Sequence, residues 1–473
     1  MPIKVKQLNG RFSCQWYLPD PDADVVLRPH GEIILDGSRQ PLGKVSGEVP
    51  GEPFGGFPKR YEYEYLSGQL ANGAGALLIN PKLEIIGHPG HFVNFPDGNA
   101  TIYASAALIG RDADQLNDTK ISEMRVQITH LERIFMASPI DTTTLPMQSD
   151  SKEAKWSVTT RSNDLEWYDG STKMSITYMQ SATVLAEYEF GIRFTPIIKI
   201  SFDEPLEFLD AYDKWIRSLY RVISVLTGKE EDVTYLEVKP AGAKENSPFL
   251  QAFARPITQS PYMPERGRLR RQRDSALKLD ADKVSLLNLV NRWNTLEDDQ
   301  NPIVYTYEPY ALGADQHPRA RYLLLIQALE GVSNREGRLN ERVEGFARKR
   351  DRVINECMKH LTGMSRKFVR KNIKKTPLNL DDLLKDMFES LPVDPTEKIG
   401  QATLVERVCT ENTLKPEGAL RLIRNDLAHG NKTYDFYELS EVDTILESVV
   451  RAHCLRILGM SSEVQERVLS FDD

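Results

Sequence analysis

The chain lacks several features that mark common classes of protein. Its 473 residues include only four cysteines, which are far apart and form no C-x-x-C pair. A disulfide framework and a cysteine-ligated zinc site are therefore not expected, and reduced thiols are the default. No stretch has the roughly 18 uncharged apolar residues of a membrane span, and the first residues, MPIKVKQLNGRF, contain no signal-like apolar run. We expect a cytoplasmic protein that does not interact with a membrane.

Basic residues are outnumbered by acidic ones overall but are concentrated locally. The formal net charge is −8, which argues against a uniformly basic nucleic-acid coat. Residues 333–375 nevertheless contain fourteen Lys or Arg and five acidic residues, and a shorter basic cluster, RGRLRRQR, occupies 266–273. Such clusters can attract a polyanion even on an acidic protein. Solvated helix faces are the alternative interpretation.

The first two hundred residues show the pattern of short β-strands. Runs such as GEIILDG at 31–37, TIYASAALIG at 101–110 and FTPIIKIS at 194–201 alternate or are rich in β-branched and aromatic residues, with turn residues between them. Many such strands favour a sandwich-like or double-sheet domain. The segments that follow predict a helix at 203–228 and a strand at 233–239.

Apolar residues at helical spacing dominate the rest of the chain. The predicted helices are 274–295, 317–332, 338–362, 378–391, 400–410, 416–429 and 438–459. PAGAKENSP, at 240–248, has the composition of a linker. We therefore expect an α+β fold with two domains: a β-rich domain at 1–239 and an all-α domain at 249–473.

The heptapeptide RNDLAHG, residues 424–430, ends the predicted helix 416–429. The preceding apolar residues Leu420, Ile423 and Leu427 have the spacing of a buried helix face, and the final glycine is a natural helix stop. The helix is thus expected to be anchored on one side, which leaves its polar residues on the other.

Arg424, Asn425 and His429 are predicted to cluster at the exposed end of this helix, since Asn425 and His429 are four residues apart. An imidazole can take the proton from a ribose 2′-OH or give one to a leaving 5′-oxygen. A guanidinium can bind the scissile phosphate and stabilise its developing charge. Because the 2′-OH is the nucleophile, we expect no metal and no cofactor. The alternative is that Arg424 pairs with a carboxylate while His429 caps the helix.

Two other histidine patterns are weaker candidates. RVQITH also has the Arg-x-x-x-x-His spacing, but it lies in an alternating stretch that puts Arg125 and His130 on opposite faces. His88 and His91, in GHPGHF, could bind a metal. Without cysteine or further histidine ligands nearby, a turn is the simpler interpretation.

RNDLAHG, together with RYLLLIQALEG and the long basic helix that follows it, resembles the HEPN superfamily (higher eukaryote and prokaryote nucleotide-binding). Its ribonuclease members carry Arg, a polar residue, three further residues and His, and Arg424, Asn425 and His429 match this pattern. More narrowly, the layout resembles the ApeA family of bacterial anti-phage proteins. In that family a β-rich N-terminal domain precedes a C-terminal HEPN helical bundle.

This resemblance implies a metal-independent endoribonuclease that works as a homodimer in abortive infection. Two Arg-x-x-x-x-His motifs would form one site that cleaves host RNA, tRNA above all, once the N-terminal domain senses a phage protein. Gln327 and Glu330 are expected to be partners of the Arg–His pair, with a solvated or interhelical role as the alternative. The residues expected to hold RNA phosphates are Arg348, Lys349, Arg350, Arg366, Lys367, Arg370 and Lys371. The competing hypothesis is a non-catalytic HEPN-type module that binds nucleotide or protein and dimerises.

Overall fold

A computed structural model describes most of the chain. The described residues are 10–21, 24–36, 39–50, 60–86, 98–135, 138–144, 157–160, 164–183, 191–244, 246–260, 277–307, 316–337, 339–373 and 378–470. The basic cluster at 266–273 and the pair His88 and His91 lie outside these residues. The chain divides into two compact units, which are Met1–Ile223 with Glu231–Asn291, and Ser224–Glu230 with Arg292–Asp473. No helix in the described ranges has the length and apolar character to cross a membrane.

The first unit contains a large antiparallel sheet. The strands of the unit are β1 (Gly10–Asp20), β2 (Val25–Leu27), β3 (His30–Leu35), β4 (Leu42–Gly47), β5 (Arg60–Glu62), β6 (Tyr65–Leu70), β7 (Gly75–Ile79), β8 (Lys82–Ile86), β9 (Gly98–Tyr103), β10 (Ala106–Gly110), β11 (Lys120–Ile128), β12 (Ile140–Thr144), β13 (Ser157–Thr160), β14 (Leu165–Tyr168), β15 (Thr172–Thr183), β16 (Gly191–Glu207), β17 (Val233–Pro240) and β18 (Leu250–Ala254). The hydrogen-bonded order is β14-β15-β16-β11-β17-β18-β10-β7-β6-β1-β3-β4-β9-β8-β5, with β2 on β1 and a separate pair β12-β13.

Alternation along the strands builds the core of this unit. Cys14, Trp16 and Leu18 are buried at every second position of β1, as the period of a strand requires. The Trp16 indole donates to the Lys44 carbonyl at 2.9 Å. Gly31 makes this contact possible, because a Cβ there would lie 1.9 Å from the same carbonyl oxygen. A glycine is thus required where β3 passes between the tryptophan and β4.

The predicted helix at 203–228 is wrong in its first five residues. β16 continues to Glu207, because Leu206 and Glu207 pair with Ile121 and Lys120 of β11. Pairing with a neighbouring strand outweighs the local helix-start signal. The described helical segments in this unit and at its boundary are a 3-10 helix (Ala113–Gln115), α1 (Leu131–Phe135), α2 (Phe208–Ala211), a π-helical turn (Tyr212–Arg217) and α3 (Ser218–Thr227).

Two further segments differ from the predicted strands and linker. The predicted strand at 101–110 is divided between β9 and β10, which pair with different neighbours in the sheet. The segment at 240–248 joins β17 to β18, and these two strands pair with each other. The first compact unit accordingly continues to Asn291.

From Leu286 onward the described secondary structure is helical. The helices are α4 (Leu286–Asp298), a 3-10 helix (Pro302–Tyr307), α5 (Pro318–Glu336), α6 (Asn340–His360), α7 (Gly363–Asn372), α8 (Leu380–Glu389), α9 (Thr396–Gln401), α10 (Thr403–Asn412), α11 (Pro416–His429), α12 (Phe436–Ile457) and α13 (Ser462–Leu469). A β-rich part followed by a helical part confirms the predicted α+β class with two domains.

Helices α5 and α12 pack together at the centre of the second unit. The start and stop of α5 are set locally, since His317 is the N-cap, Pro318 is the first residue and Gly337 ends the helix with φ 62°. RYLLLIQALEG, residues 321–331, is apolar nearly all round, which predicts a buried helix. Tyr322, Leu325 and Leu329 are buried, but Gln327 is exposed, so α5 is not buried on every side.

Candidate active site

The predicted helix at 416–429 is confirmed as α11. Pro416 occupies its first position, where the missing N–H costs nothing, and Gly430 ends it in the left-handed region with φ 69°. The Gly430 N–H donates to the Asp426 carbonyl. The apolar face of the helix is buried as predicted, at Leu420, Ile423 and Leu427. The last turn is therefore held in place from one side.

The polar residues of the motif lie at the accessible end of α11. His429 is exposed, and Arg424 and Asn425 are half-buried. Arg424 Nη1 donates to Asn425 Oδ1 at 3.3 Å. Its Nη2 lies 3.6 Å from Glu330 Oε2 of α5. The guanidinium is thus positioned between an amide on its own helix and a carboxylate on the neighbouring helix.

Glu330 and Gln327, both predicted as partners of the motif, differ in their surroundings. Glu330 forms the ion pair with Arg424, and the two side chains are 35% and 37% exposed. Such a solvated pair contributes about 0–1 kcal/mol to stability. Gln327 lies almost one turn earlier on α5 and is exposed. The carboxylate therefore orients the guanidinium without binding it tightly.

Two side chains of α5 contact backbone carbonyls of α11. Tyr322 donates its hydroxyl to the Leu420 carbonyl at 2.8 Å, and burial raises the pKa of Tyr322 well above its usual value. Arg319 Nη2 donates to the Leu427 carbonyl at 2.5 Å. Carbonyls in the last turn of a helix have no intrahelical donor, so Arg319 satisfies one of them and adds positive charge near His429.

The segment after α11 returns to the same helix end. The Tyr434 hydroxyl donates to Asp426 Oδ2 at 2.7 Å, and burial, followed by this bond, raises the pKa of Tyr434. Lys432 Nζ lies 5.2 Å from the centroid of the Tyr434 ring. Sequence reasoning missed Arg319, Lys432 and Tyr434. Of these three residues, only Lys432 could have been suspected from the sequence, because it lies three residues after His429.

The basic residues predicted to bind RNA lie on α6 and α7 and are exposed, apart from the half-buried Arg350. Arg350 pairs with Asp351 at 2.7 Å. Arg366 Nη2 donates to the Met358 carbonyl at 3.1 Å, which ties α7 to α6. Arg342 links α6 to α8 through Asp382 at 2.9 Å. These contacts connect α6 with α7 and with α8, and none of them involves α11. The two helices α6 and α7 are named the basic hairpin.

The second Arg-x-x-x-x-His pattern does not form a comparable pair. Arg125 lies on β11, where Nε is 3.1 Å from Glu123 and Nη1 is 3.4 Å from Glu237. His130 follows the strand with φ 53°, and its Nδ1 is 2.9 Å from Glu231 Oε2. The guanidinium and the imidazole thus have separate carboxylate partners. His130 lies in the turn after β11 and not on the strand face predicted for it.

The fold and the site together define a class: a β-rich unit followed by a helical unit that exposes an arginine and a histidine at one helix end. The family model described as ApeA N-terminal domain 1 matches residues 12–293, which is more than half of the chain. The chain belongs to the ApeA family of anti-phage defence proteins. Comparison with curated proteins and with solved structures gives no match.

Proposed function

We propose that the helical unit is a HEPN ribonuclease domain and that the protein is a metal-independent endoribonuclease of abortive infection. One observation carries the proposal. Arg424 and His429 share the accessible end of a helix whose other face is buried, and Arg424 is oriented there by Glu330 and Asn425. The family match ends at residue 293, so the nuclease assignment rests on these residues of the second unit.

The proposed reaction is attack of a ribose 2′-oxygen on the adjacent phosphorus. The bond from phosphorus to the 5′-oxygen breaks, and the products end in a 2′,3′-cyclic phosphate and a 5′-hydroxyl. Imidazole is suited to remove the 2′-OH proton or to protonate the leaving oxygen. One chain supplies one His429, so a second copy of the helix end provides the other proton-transfer group. This requirement favours a homodimer.

Arg424 acts on the phosphate in this scheme. Its guanidinium can make two parallel hydrogen bonds to phosphate oxygens and stabilise charge as it develops there. The pair with Glu330 is long, at 3.6 Å, and both side chains are about one-third exposed. Replacing the Glu330 carboxylate by a phosphate as the partner of Arg424 should therefore cost little free energy. The α6–α7 hairpin supplies further phosphate contacts without sequence preference.

The β-rich unit is the proposed sensor of a phage protein, and the cleaved molecule is host RNA, with tRNA as the leading candidate. This assignment separates detection from chemistry along the chain. Expression with and without phage infection, followed by sequencing of RNA ends, identifies the target and the cleavage position.

The test of the nuclease role compares purified His429→Ala and Arg424→Ala with the parent chain. We expect RNA cleavage and growth inhibition to fall by at least about 100-fold, since general acid–base catalysis contributes 10²–10⁴-fold. Circular dichroism and the melting temperature should not change, because both side chains lie at the accessible helix end. EDTA should leave the rate unaltered, and the products should carry 2′,3′-cyclic phosphate.

Arg421→Ala is the matched control, because Arg421 lies on the same helix but pairs with Asp381 of α8. It should retain cleavage. Full cleavage by the His429 and Arg424 variants overturns the roles assigned here. RNA binding by the phage-activated parent chain without any cleavage identifies the non-catalytic module instead.

A further inference from the structure

Two large aromatic side chains are exposed at the start of α12. Phe436 is 50% exposed and Tyr437 is 80% exposed. Their ring centroids are 5.5 Å apart with an interplanar angle of 81°. His317, at the N-cap of α5, is in edge contact with Phe436, with ring centroids 5.7 Å apart. These three rings are named the aromatic platform.

The platform lies at the same end of the bundle as the catalytic motif. Arg319, two residues from His317, donates to the carbonyl of Leu427, which is two residues before His429. On the other side, Tyr434 donates to Asp426 and is two residues before Phe436. The N-termini of α5 and α12 therefore both meet the C-terminal turn of α11.

Hydrogen bonds fix the backbone beneath these rings. The Asp435 carboxylate caps α12 by accepting from the N–H groups of Tyr437 at 2.9 Å and Glu438 at 3.1 Å. His317 Nδ1 accepts from the Arg319 N–H at 3.2 Å, which restrains the imidazole ring. Because the backbone is already ordered, less conformational entropy is lost when a flat ligand stacks on these exposed rings.

Cationic side chains lie beside the platform. Arg319 and Lys432 add positive charge at this helix end, and neither has an ion pair among the described residues. Arg424 is paired with Glu330, and Glu438 binds Arg407 through two contacts of 2.7 and 2.6 Å. Asp426 accepts from Tyr434 and Asp435 caps α12, and both carboxylates keep their negative charge. Exposed rings beside Arg319 and Lys432 fit a nucleobase and its phosphate.

We infer that the aromatic platform is a nucleobase subsite, in which Phe436 and Tyr437 stack an unpaired base of the RNA next to the scissile linkage. This inference rests on the proposed nuclease function and adds a base-binding subsite to that site. Bases within a duplex are stacked on one another and do not present a free face. A splayed loop or strand presents such a face, and stacking then places the ribose of that nucleotide beside His429.

The test uses the full chain with His429→Ala, which binds without cutting, and oligoribonucleotides that carry the fluorescent base 2-aminopurine. A single strand should bind with quenched fluorescence, and the same sequence in a duplex should not. Phe436→Leu and Tyr437→Leu, made in this background, keep an apolar side chain but remove the ring. We expect each to weaken binding by roughly 5- to 100-fold and to abolish the quenching.

Two further variants separate stacking from folding. Phe436→Trp and Tyr437→Trp keep an aromatic face and should restore quenching. Tyr305→Leu removes a ring that is 54% exposed in the 3-10 helix before α5, and it should bind and quench like the parent. Each variant is also made with His429 intact, to follow cleavage.

The outcomes distinguish this inference from the proposed nuclease function on which it rests. Leucine variants that bind, quench and cut like their parents overturn the platform and leave the nuclease assignment standing. Leucine variants that change the molar mass measured by light scattering show an interface between copies, which also overturns it. A chain that neither binds nor cuts any RNA, with phage activation, overturns the proposed function itself.

Discussion

Two places in the helical unit treat polar side chains in opposite ways. At the end of α11, Arg424 and His429 reach solvent while apolar residues beneath them are buried. In the middle of α12, Asp443 is only 2% exposed. The first arrangement leaves polar groups available to a ligand at little cost in stability. The second places a carboxylate where it costs stability and meets no solvent. Substitutions at the two places should therefore have separable effects.

The interior of the α5–α12 pair shows what this burial does. Neither carboxylate oxygen of Asp443 has a hydrogen-bond partner among the described residues. Burial raises the pKa of Asp443 to about 8; the Arg321 guanidinium opposes this shift and the Glu447 carboxylate adds to it. Arg321 is itself paired with Glu447. Asp443 is thus largely protonated in the folded protein near neutral pH.

The largest effect on stability is expected from the buried face of α11. Leu420→Ala should lower the free energy of unfolding by about 2–5 kcal/mol, because it removes a fully buried side chain and leaves a cavity. Urea unfolding measures the change. Leu422→Ala, at a half-buried position two residues later, should cost less. Two outcomes would contradict the distinction between the buried and the accessible face of α11. One is an equal loss of unfolding free energy in both variants, and the other is a loss of cleavage by Leu420→Ala protein that is still folded.

A pH dependence should identify the buried carboxylate. The pKa of Asp443 is raised on folding, so its stabilising contribution is complete below about pH 4 and is lost as the pH rises through about 8. The loss is at most about 1.4 kcal/mol per pH unit. Asp443→Asn should flatten this dependence and raise the melting temperature at pH 9. The exposed control Asp298→Asn should keep the parent slope, and parallel curves for all three proteins would contradict the assignment.

The basic hairpin should contribute to binding but not to chemistry. Changing Arg348, Lys349, Lys367 and Lys371 together to Gln should reduce the slope of log affinity against log salt by about 0.7 for each lost phosphate contact. All RNA sequences should weaken alike, since phosphate contacts carry no sequence information. Fluorescence anisotropy at several salt concentrations measures this. An unchanged slope, with Lys385→Gln of α8 as the control, would take the hairpin out of the binding surface.

The smallest effect is expected from Glu330, which acts through Arg424. Glu330→Gln should change stability by less than about 1 kcal/mol, because the ion pair is partly solvated. Its kcat should fall by up to about tenfold with little change in KM, well short of the loss in His429→Ala. Glu330→Asp should recover part of the rate. A change in KM alone would mean that the carboxylate affects RNA binding rather than the orientation of the guanidinium.

Local signals decided which elements could be predicted. Helices with clear ends were located closely: 416–429 matches α11, and 338–362 differs from α6 by two residues at each end. Elements that depend on a partner distant in sequence were not located as closely. The end of β16 pairs with β11, and β1, which is long but buries only alternate residues, was not among the strands named from the sequence. A strand is stabilised by its neighbours, which the local sequence does not name.

The candidate site divides in the same way. The spacing of Arg424, Asn425 and His429 on one helix is a property of the sequence alone, and the exposure of its end follows from the buried leucines. The carboxylate at Arg424 and the Arg319 donor depend on how α5 packs against α11. Glu330 was named in advance only through a family resemblance, and Arg319 had no signal at all.

The short connection between α11 and α12 makes α12 a lever. Its 22 residues span about 33 Å, and Tyr434 fastens its near end to the turn that carries His429. A tilt of a rigid rod moves both ends in opposite directions. A displacement of the first turn of α12 would therefore reach the turn that carries His429 through the Tyr434–Asp426 hydrogen bond.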